Sequence, residues 1–165
     1  MLRHSTLDTP IGPFTVVTTA AGAVRAAGFT TDVPELMSLV HPSLLAPVEA
    51  DDDVGPVRAA VRDYLAGDLT ALDGIVVEQY TRGEFMRHAW EVMRQIKPGA
   101  PVTYTRYADL SGRPTAIRAA AAACARNAVA LILPCHRVLR TDGSLGGYRW
   151  GLPVKSWLLE HEAAG

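Results

Sequence analysis

A chain of 165 residues and 17.7 kDa, 48% hydrophobic and 20% charged, has a globular balance and room for one large domain or two small ones. Its longest apolar run in the second half, Ala128–Pro134, is far too short to cross a bilayer, and Met1-Leu2-Arg3-His4-Ser5 opens no apolar leader. The net charge of −1 hides a split: residues 1–81 hold four arginines against eleven acids, and residues 82–165 hold twelve lysines and arginines against six acids. A basic half invites a polyanion, nucleic acid first, although an uneven solvated surface would give the same count. Cys124 and Cys135 are the only cysteines, too few for a disulfide framework or a four-cysteine zinc site, and they suit a reducing cytoplasm.

In chain order, residues 13–19 and 23–30 are predicted strands around Ala20-Ala21-Gly22, entered through Pro10, Gly12 and Pro13. Asp32 is the expected cap of a short helix reaching Val40, and His41 to Pro56 is expected as a loop. A helix to Ala66 follows, with Val57, Ala60, Val61, Tyr64 and Leu65 on one face and Gly67 as its stop. Ile75 to Tyr80 is a predicted strand. This first part reads as a small α/β unit.

Thr81-Arg82-Gly83-Glu84 has the capping-box pattern. It is expected to start a helix with Phe85, Ala89, Val92, Met93 and Ile96 facing a core, ended by Lys97-Pro98-Gly99. The charge balance changes sign here, so a domain boundary is placed near residue 81, giving domains 1–81 and 82–165. A helix over Thr105–Ser111, a turn at Gly112-Arg113-Pro114 and a helix over Thr115–Arg126 are compatible with a DNA-reading helix-turn-helix. Many helix pairs turn at a glycine, so this pattern alone is weak. Ala119 to Ala123 lie between Arg118 and Arg126, a small-residue helix with charged flanks. A predicted apolar strand, Ala128–Leu133, a glycine-rich loop and a last helix from Pro153 to Glu162 complete the chain.

Chemistry concentrates at Pro134-Cys135-His136-Arg137-Val138. A thiol with an ordinary pKa is mostly protonated at neutral pH; making thiolate the main form requires a differential stabilisation of about 2.7 kcal/mol. His136, Arg137 or an oriented backbone could supply it, whereas a buried, inert Cys135 is the competing reading. Neighbours on an extended chain point apart, so His136 needs a bridging water to reach the thiol and a partner to orient it. Glu162 is a candidate for that partner. Cys124, inside the alanine helix, reads as a packing residue. No GxGxxG or Walker pattern occurs, and the remaining histidines lack metal-ligand spacing, so neither cofactor nor metal is expected.

Asn127, Pro134-Cys135-His136-Arg137-Val138, Gly147-Tyr148-Arg149-Trp150-Gly151, Lys155 and Leu158-Leu159-Glu160-His161-Glu162 together resemble the O6-alkylguanine-DNA alkyltransferases. Residues 82–165 carry most of the likeness; Thr9-Pro10-Ile11-Gly12-Pro13 and Tyr64-Leu65-Ala66-Gly67 extend it into the first part. The resemblance implies an α/β fold with a ribonuclease-H-like N-terminal domain and a winged helix-turn-helix C-terminal domain. It implies direct repair of O6-methylguanine and O4-methylthymine in double-stranded DNA, by a monomer, with Cys135 as the alkyl acceptor, used once.

By the same resemblance, His136 and Glu162 form a proton relay through a water, and Asn127 supports the active-site turn. Tyr104 assists flipping and gives a proton to the leaving guanine. Arg118 fills the gap left by the flipped base. Tyr148, with Gly146, Gly147, Arg149 and Trp150, walls the guanine pocket. Arg113, Arg126 and Thr115 are expected DNA contacts. The chain departs from the family where Ala119 to Ala123 stand for a Val-Gly pair, where Ala128 follows Asn127 in place of proline, and where Trp150 replaces a glycine. A DNA-binding lesion sensor without alkyl transfer is the alternative.

Overall fold

The computed structural model describes residues 1–165, and the chain divides into two compact units. One comprises Met1–Tyr80 with Ala128–Ile132; the other comprises Thr81–Asn127 with Leu133–Gly165. The chain therefore returns to the first unit for five residues after residue 127, which a single cut near residue 81 does not describe.

The first unit is a four-stranded sheet whose strand order is Val24–Gly28 (β3), Gly12–Thr18 (β2), Leu2–Thr9 (β1), Val48–Ala50 (β4). Strands β1, β2 and β3 are antiparallel neighbours, and β4 pairs parallel to β1. The arrangement is consistent with the ribonuclease-H-like expectation. Thr9 ties the first turn, its hydroxyl accepting from the Ile11 amide at 3.2 Å, and Gly12 takes φ +107°. Such a φ is strained for any residue with a Cβ. Phe14, Val16, Val17, Val24, Ala26 and Ala27 are fully buried. Helix α1 (Val33–Met37) is capped by Asp32, which accepts from the Glu35 amide at 3.1 Å. Helix α2 (Val57–Leu65) buries Val57, Ala60, Val61 and Tyr64, as its spacing predicts. Each large apolar side chain so buried contributes about 1.5–3 kcal/mol.

Three expectations here need correction. β1 was not foreseen, and β4 and a short turn of 3-10 helix (Pro42–Leu44) lie in the expected loop. The stretches 75–80 and 128–133 are not ladder strands: each meets β3 through an isolated parallel bridge, Val24 to Val77 and Ala27 to Val129. In the second, Leu131 has φ 71°, the left-handed region, and the Ile132 amide donates back to the Ala130 carbonyl at 2.9 Å. That γ-turn of the rarer hand breaks the extended run.

The second unit packs α3 (Glu84–Arg94), α4 (Tyr104–Leu110) and α5 (Ile117–Ala125), with α6 (Leu152–Ala163) last. A two-stranded parallel ribbon joins β5 (Val102–Thr103) to β6 (Val138–Leu139). Gly112, at φ +91°, makes the turn between α4 and α5. Two buried aromatics set the helix spacing: the Trp90 indole donates to the Ala123 carbonyl at 2.9 Å, and the Tyr107 hydroxyl donates to the Ala89 carbonyl. The capping box is absent: Gly83 is the N-cap of α3, without a side-chain bond, and the Thr81 hydroxyl accepts from the Gly83 amide instead. No helix is long and apolar enough to cross a membrane.

Candidate active site

The site lies within the second unit. The Cys135 amide donates to the Leu133 carbonyl at 2.8 Å across Pro134, whose φ of −83° and ψ of 63° are those of an inverse γ-turn. A 3-10 turn, Cys135–Arg137, then leads into β6. The buried Asn127 amide donates to the same Leu133 carbonyl at 3.0 Å. A proline-fixed turn with a second donor on its carbonyl leaves the thiol little freedom of placement.

Cys135 opens on a cavity of about 400 Å³ lined by Tyr104, Ala121, Cys124, Ala125, Asn127, Gly147, Tyr148, Arg149 and Trp150. Gly146 adjoins it. The cavity thus collects residues from α4, from α5, from the turn before the thiol and from the loop before α6. Cys124, expected as a packing residue, is half-buried and faces this cavity.

Behind the thiol lies a buried ion group. Arg137 grips Glu162 with two donors, Nε to Oε1 and Nη2 to Oε2, each at 2.9 Å, and donates from Nη1 to the Ile96 carbonyl at 2.6 Å. His136 Nε2 meets Glu162 Oε2 at 2.8 Å. His136 is 0% exposed and Glu162 2%, so these bonds act in a low dielectric. Burial pushes the Glu162 carboxyl up, but the hydrogen bonds and charges of His136 and Arg137 outweigh it and hold the pKa at about 2. Burial also pushes the His136 imidazole down, more than Glu162 lifts it. The resting state is an ionised carboxylate, a guanidinium and a neutral imidazole. An ionised carboxylate only accepts, so Nε2 carries the proton and Nδ1 holds the lone pair. Nδ1 is buried and has no protein partner.

Burial raises the Cys135 thiol above the ordinary thiol range; a hydrogen bond from Asn127 and the charge of Lys155 work the other way. Of the three sources that the sequence left open, a backbone hydrogen bond does lower it, whereas His136 and Arg137 do not. Both are turned to Glu162, and the anion's support comes from elsewhere. Lys155, singled out among the residues that carry the family resemblance, had no role assigned to it there. It is 0% exposed on α6, between buried Val154 and Leu158, and its ammonium donates to the carbonyls of Val138 at 2.9 Å, Leu145 and Gly147 at 3.3 Å. It fastens the cavity loop to β6 while placing a positive charge near both cysteines. A lysine on the apolar face of a helix is the signal that could have pointed to that role.

Tyr104 begins α4, behind the Thr103 cap. Burial, then the two cysteines, pushes its hydroxyl up to about 12, while Arg140 pulls it down. Arg118 is exposed on α5, and Arg113, Thr115 and Arg126 are exposed at its two ends. None of these three arginines has a carboxylate within ion-pair distance. Arg113 lies over the Phe85 ring, 5.4 Å from its centroid. The arrangement can deprotonate a recessed thiol and receive a flat ring beside it.

Residues 84–164 match the model of the 6-O-methylguanine DNA methyltransferase DNA-binding domain. A stretch of 79 residues is 49% identical to the bifunctional transcriptional activator/DNA repair enzyme Ada of Escherichia coli, covering 48% of this chain but only 22% of that protein. The methylated-DNA–protein-cysteine methyltransferase of Salmonella typhimurium is 32% identical, over 98% of this chain and 95% of its own. A crystal structure of Mycobacterium tuberculosis OGT in complex with DNA superposes with a TM-score of 0.82 at 28% identity, over 98% of this chain and 93% of that one. The chain belongs to the methylated-DNA–protein-cysteine methyltransferase family.

Proposed function

We propose that the protein repairs alkylated DNA directly, moving the methyl group of O6-methylguanine, and of O4-methylthymine, onto Cys135 in one irreversible turnover. The observation that carries this reading is the buried Arg137–Glu162–His136 group, which leaves an unpartnered lone pair on Nδ1 of the residue that follows the cavity-facing Cys135. Through one water, Nδ1 takes the Cys135 proton, and Glu162 stabilises the imidazolium. Asn127 and Lys155 favour the thiolate. The sulfur attacks the methyl carbon; the S–C bond forms as the C–O6 bond breaks. Guanine leaves with the electron pair and receives a proton from Tyr104. Displacement at carbon by sulfur requires no cofactor, and the thioether product is not reopened.

A recessed thiol reaches the lesion only after the nucleotide flips out, at a cost of a few kcal/mol. Arg118 fills the gap in the stack. The small residues of α5 let the helix approach the minor groove, and Arg113, Thr115 and Arg126 hold phosphates. Tyr148, with Gly146, Gly147, Arg149 and Trp150, forms the wall against the base. The second unit does this work, and the first, acidic in composition, serves as scaffold. Relay and cavity are complete in one chain, which suits a monomer, and two unpaired cysteines suit the cytoplasm.

The test is stoichiometry. With duplex DNA carrying labelled methyl on O6-guanine in excess, uptake is expected to stop at one methyl per protein. Repeated turnover would contradict the reading, and tight lesion binding without uptake would make the protein a lesion sensor.

A further inference from the structure

Gly146 has φ +72°, and a Cβ placed on it would lie 3.3 Å from Arg140 Cγ and 3.5 Å from Tyr104 Cε2. The Arg140 stem and the Tyr104 ring therefore both lie against the bare backbone of Gly146, at the edge of the cavity that Tyr104 and Gly147 line. The backbone of Arg140 is fixed too: its amide donates to the Ser144 carbonyl at 3.0 Å and its carbonyl accepts from the Gly143 amide at 2.8 Å. Its head is exposed and has no carboxylate within ion-pair distance. Asp142, two residues on, is occupied by the Ser144 amide at 2.9 Å and hydroxyl at 2.7 Å.

A stem held against the rim and a head left unpaired are the properties of a prepared anion contact. A base that enters the cavity leaves its sugar and phosphate outside, at that rim. A guanidinium offers two parallel donors to a phosphate. We infer that Arg140 is the binding site for one phosphodiester of the nucleotide whose base occupies the cavity. The inference rests on the proposed function only in requiring that a nucleotide enter.

The experiment compares wild type with Arg140→Ala and Arg140→Lys on two substrates: a duplex carrying one O6-methylguanine, and free O6-benzylguanine, which has no phosphate. For Arg140→Ala, transfer from the duplex is expected to slow about tenfold, the loss of one charge-assisted contact. Transfer from the free base is expected to stay within about twofold. Arg140→Lys should restore most of the duplex rate. The slope of log affinity for the duplex against log salt should become shallower by about 0.9 in Arg140→Ala. Equal losses on duplex and free base would overturn the inference, because they would mark a role in holding Tyr104. An unchanged duplex rate with an unchanged slope would overturn it as well. If wild type takes no alkyl group from either substrate, the proposed function fails, and the salt slope, which needs no chemistry, still decides Arg140.

Discussion

A neutral imidazole serves as a base only if its free lone pair is on the nitrogen that faces the acid, and at His136 that choice belongs to Glu162. The carboxylate fixes the proton on Nε2, and Arg137 fixes the carboxylate. Replacing Glu162 by Gln removes the charge that stabilises the imidazolium and leaves Arg137 buried without a counter-ion. Single-turnover methyl transfer should fall about a hundredfold or more. Stability in urea should drop by about 3–5 kcal/mol. An unchanged rate in the folded fraction would remove the relay from the mechanism. Trp150 is half-buried in the cavity wall. Trp150→Gly should speed transfer from benzylated guanine and leave methyl transfer little altered, as competition between the two substrates would reveal. At this scale the sequence was legible where a motif names chemistry: Cys135, His136 and Glu162 stand out. The role of Lys155 and the orientation of Arg137 were not legible, because a side chain's partner depends on helix packing that spacing alone does not contain.

Helix α5 shows why an element needs small residues for two reasons at once. Ala120 and Ala123 are buried, and the Ala123 carbonyl accepts from Trp90 at 2.9 Å. Ala119, beside Arg118, is exposed. Ala123→Leu should overpack the interior and cost about 1–3 kcal/mol, read from urea denaturation. Ala119→Glu should leave stability within about 0.5 kcal/mol yet weaken duplex binding about tenfold or more, by charge and by bulk. Intact duplex affinity in Ala119→Glu would take α5 out of the DNA interface. The amphipathic spacing of α2 and α3 was enough to locate them. β1 escaped because its buried positions include Ser5, which is satisfied by Asp52 at 2.7 Å and by Arg58 and carries no apolar alternation. The run Ala128–Leu133 misled in the opposite sense. Its apolar residues are buried as a strand's would be, but the left-handed Leu131 turns the chain away from a ladder.

For the whole molecule, the buried ion group makes stability depend on acid. The Glu162 pKa lies at about 2 in the fold against 4.5 ordinarily, and that of His136 lies below its ordinary 6.5. Both are depressed on folding, so the unfolded chain binds more protons as the pH falls. Their contribution is present above the ordinary values and is lost downward, beginning below pH 6.5 for His136 and continuing from 4.5 toward 2 for Glu162. Thermal denaturation across pH 8 to 2 should show this loss (about the span over which His and carboxyl groups titrate), and Glu162→Gln should flatten its lower part. A wild-type profile level below pH 4.5 would contradict the assigned charge states. Two parts of opposite charge balance were visible in composition, but the return of Ala128–Ile132 to the first unit was not, since it is a matter of long-range pairing. The central claim is that Cys135 itself becomes alkylated. Peptide mass spectrometry after mixing the protein with duplex DNA containing O6-methylguanine measures that directly, with Cys135→Ala alongside. One added methylene mass on the Cys135 peptide, absent from the variant, is the predicted result; lesion binding with no mass gain, or a gain on another residue, would contradict it.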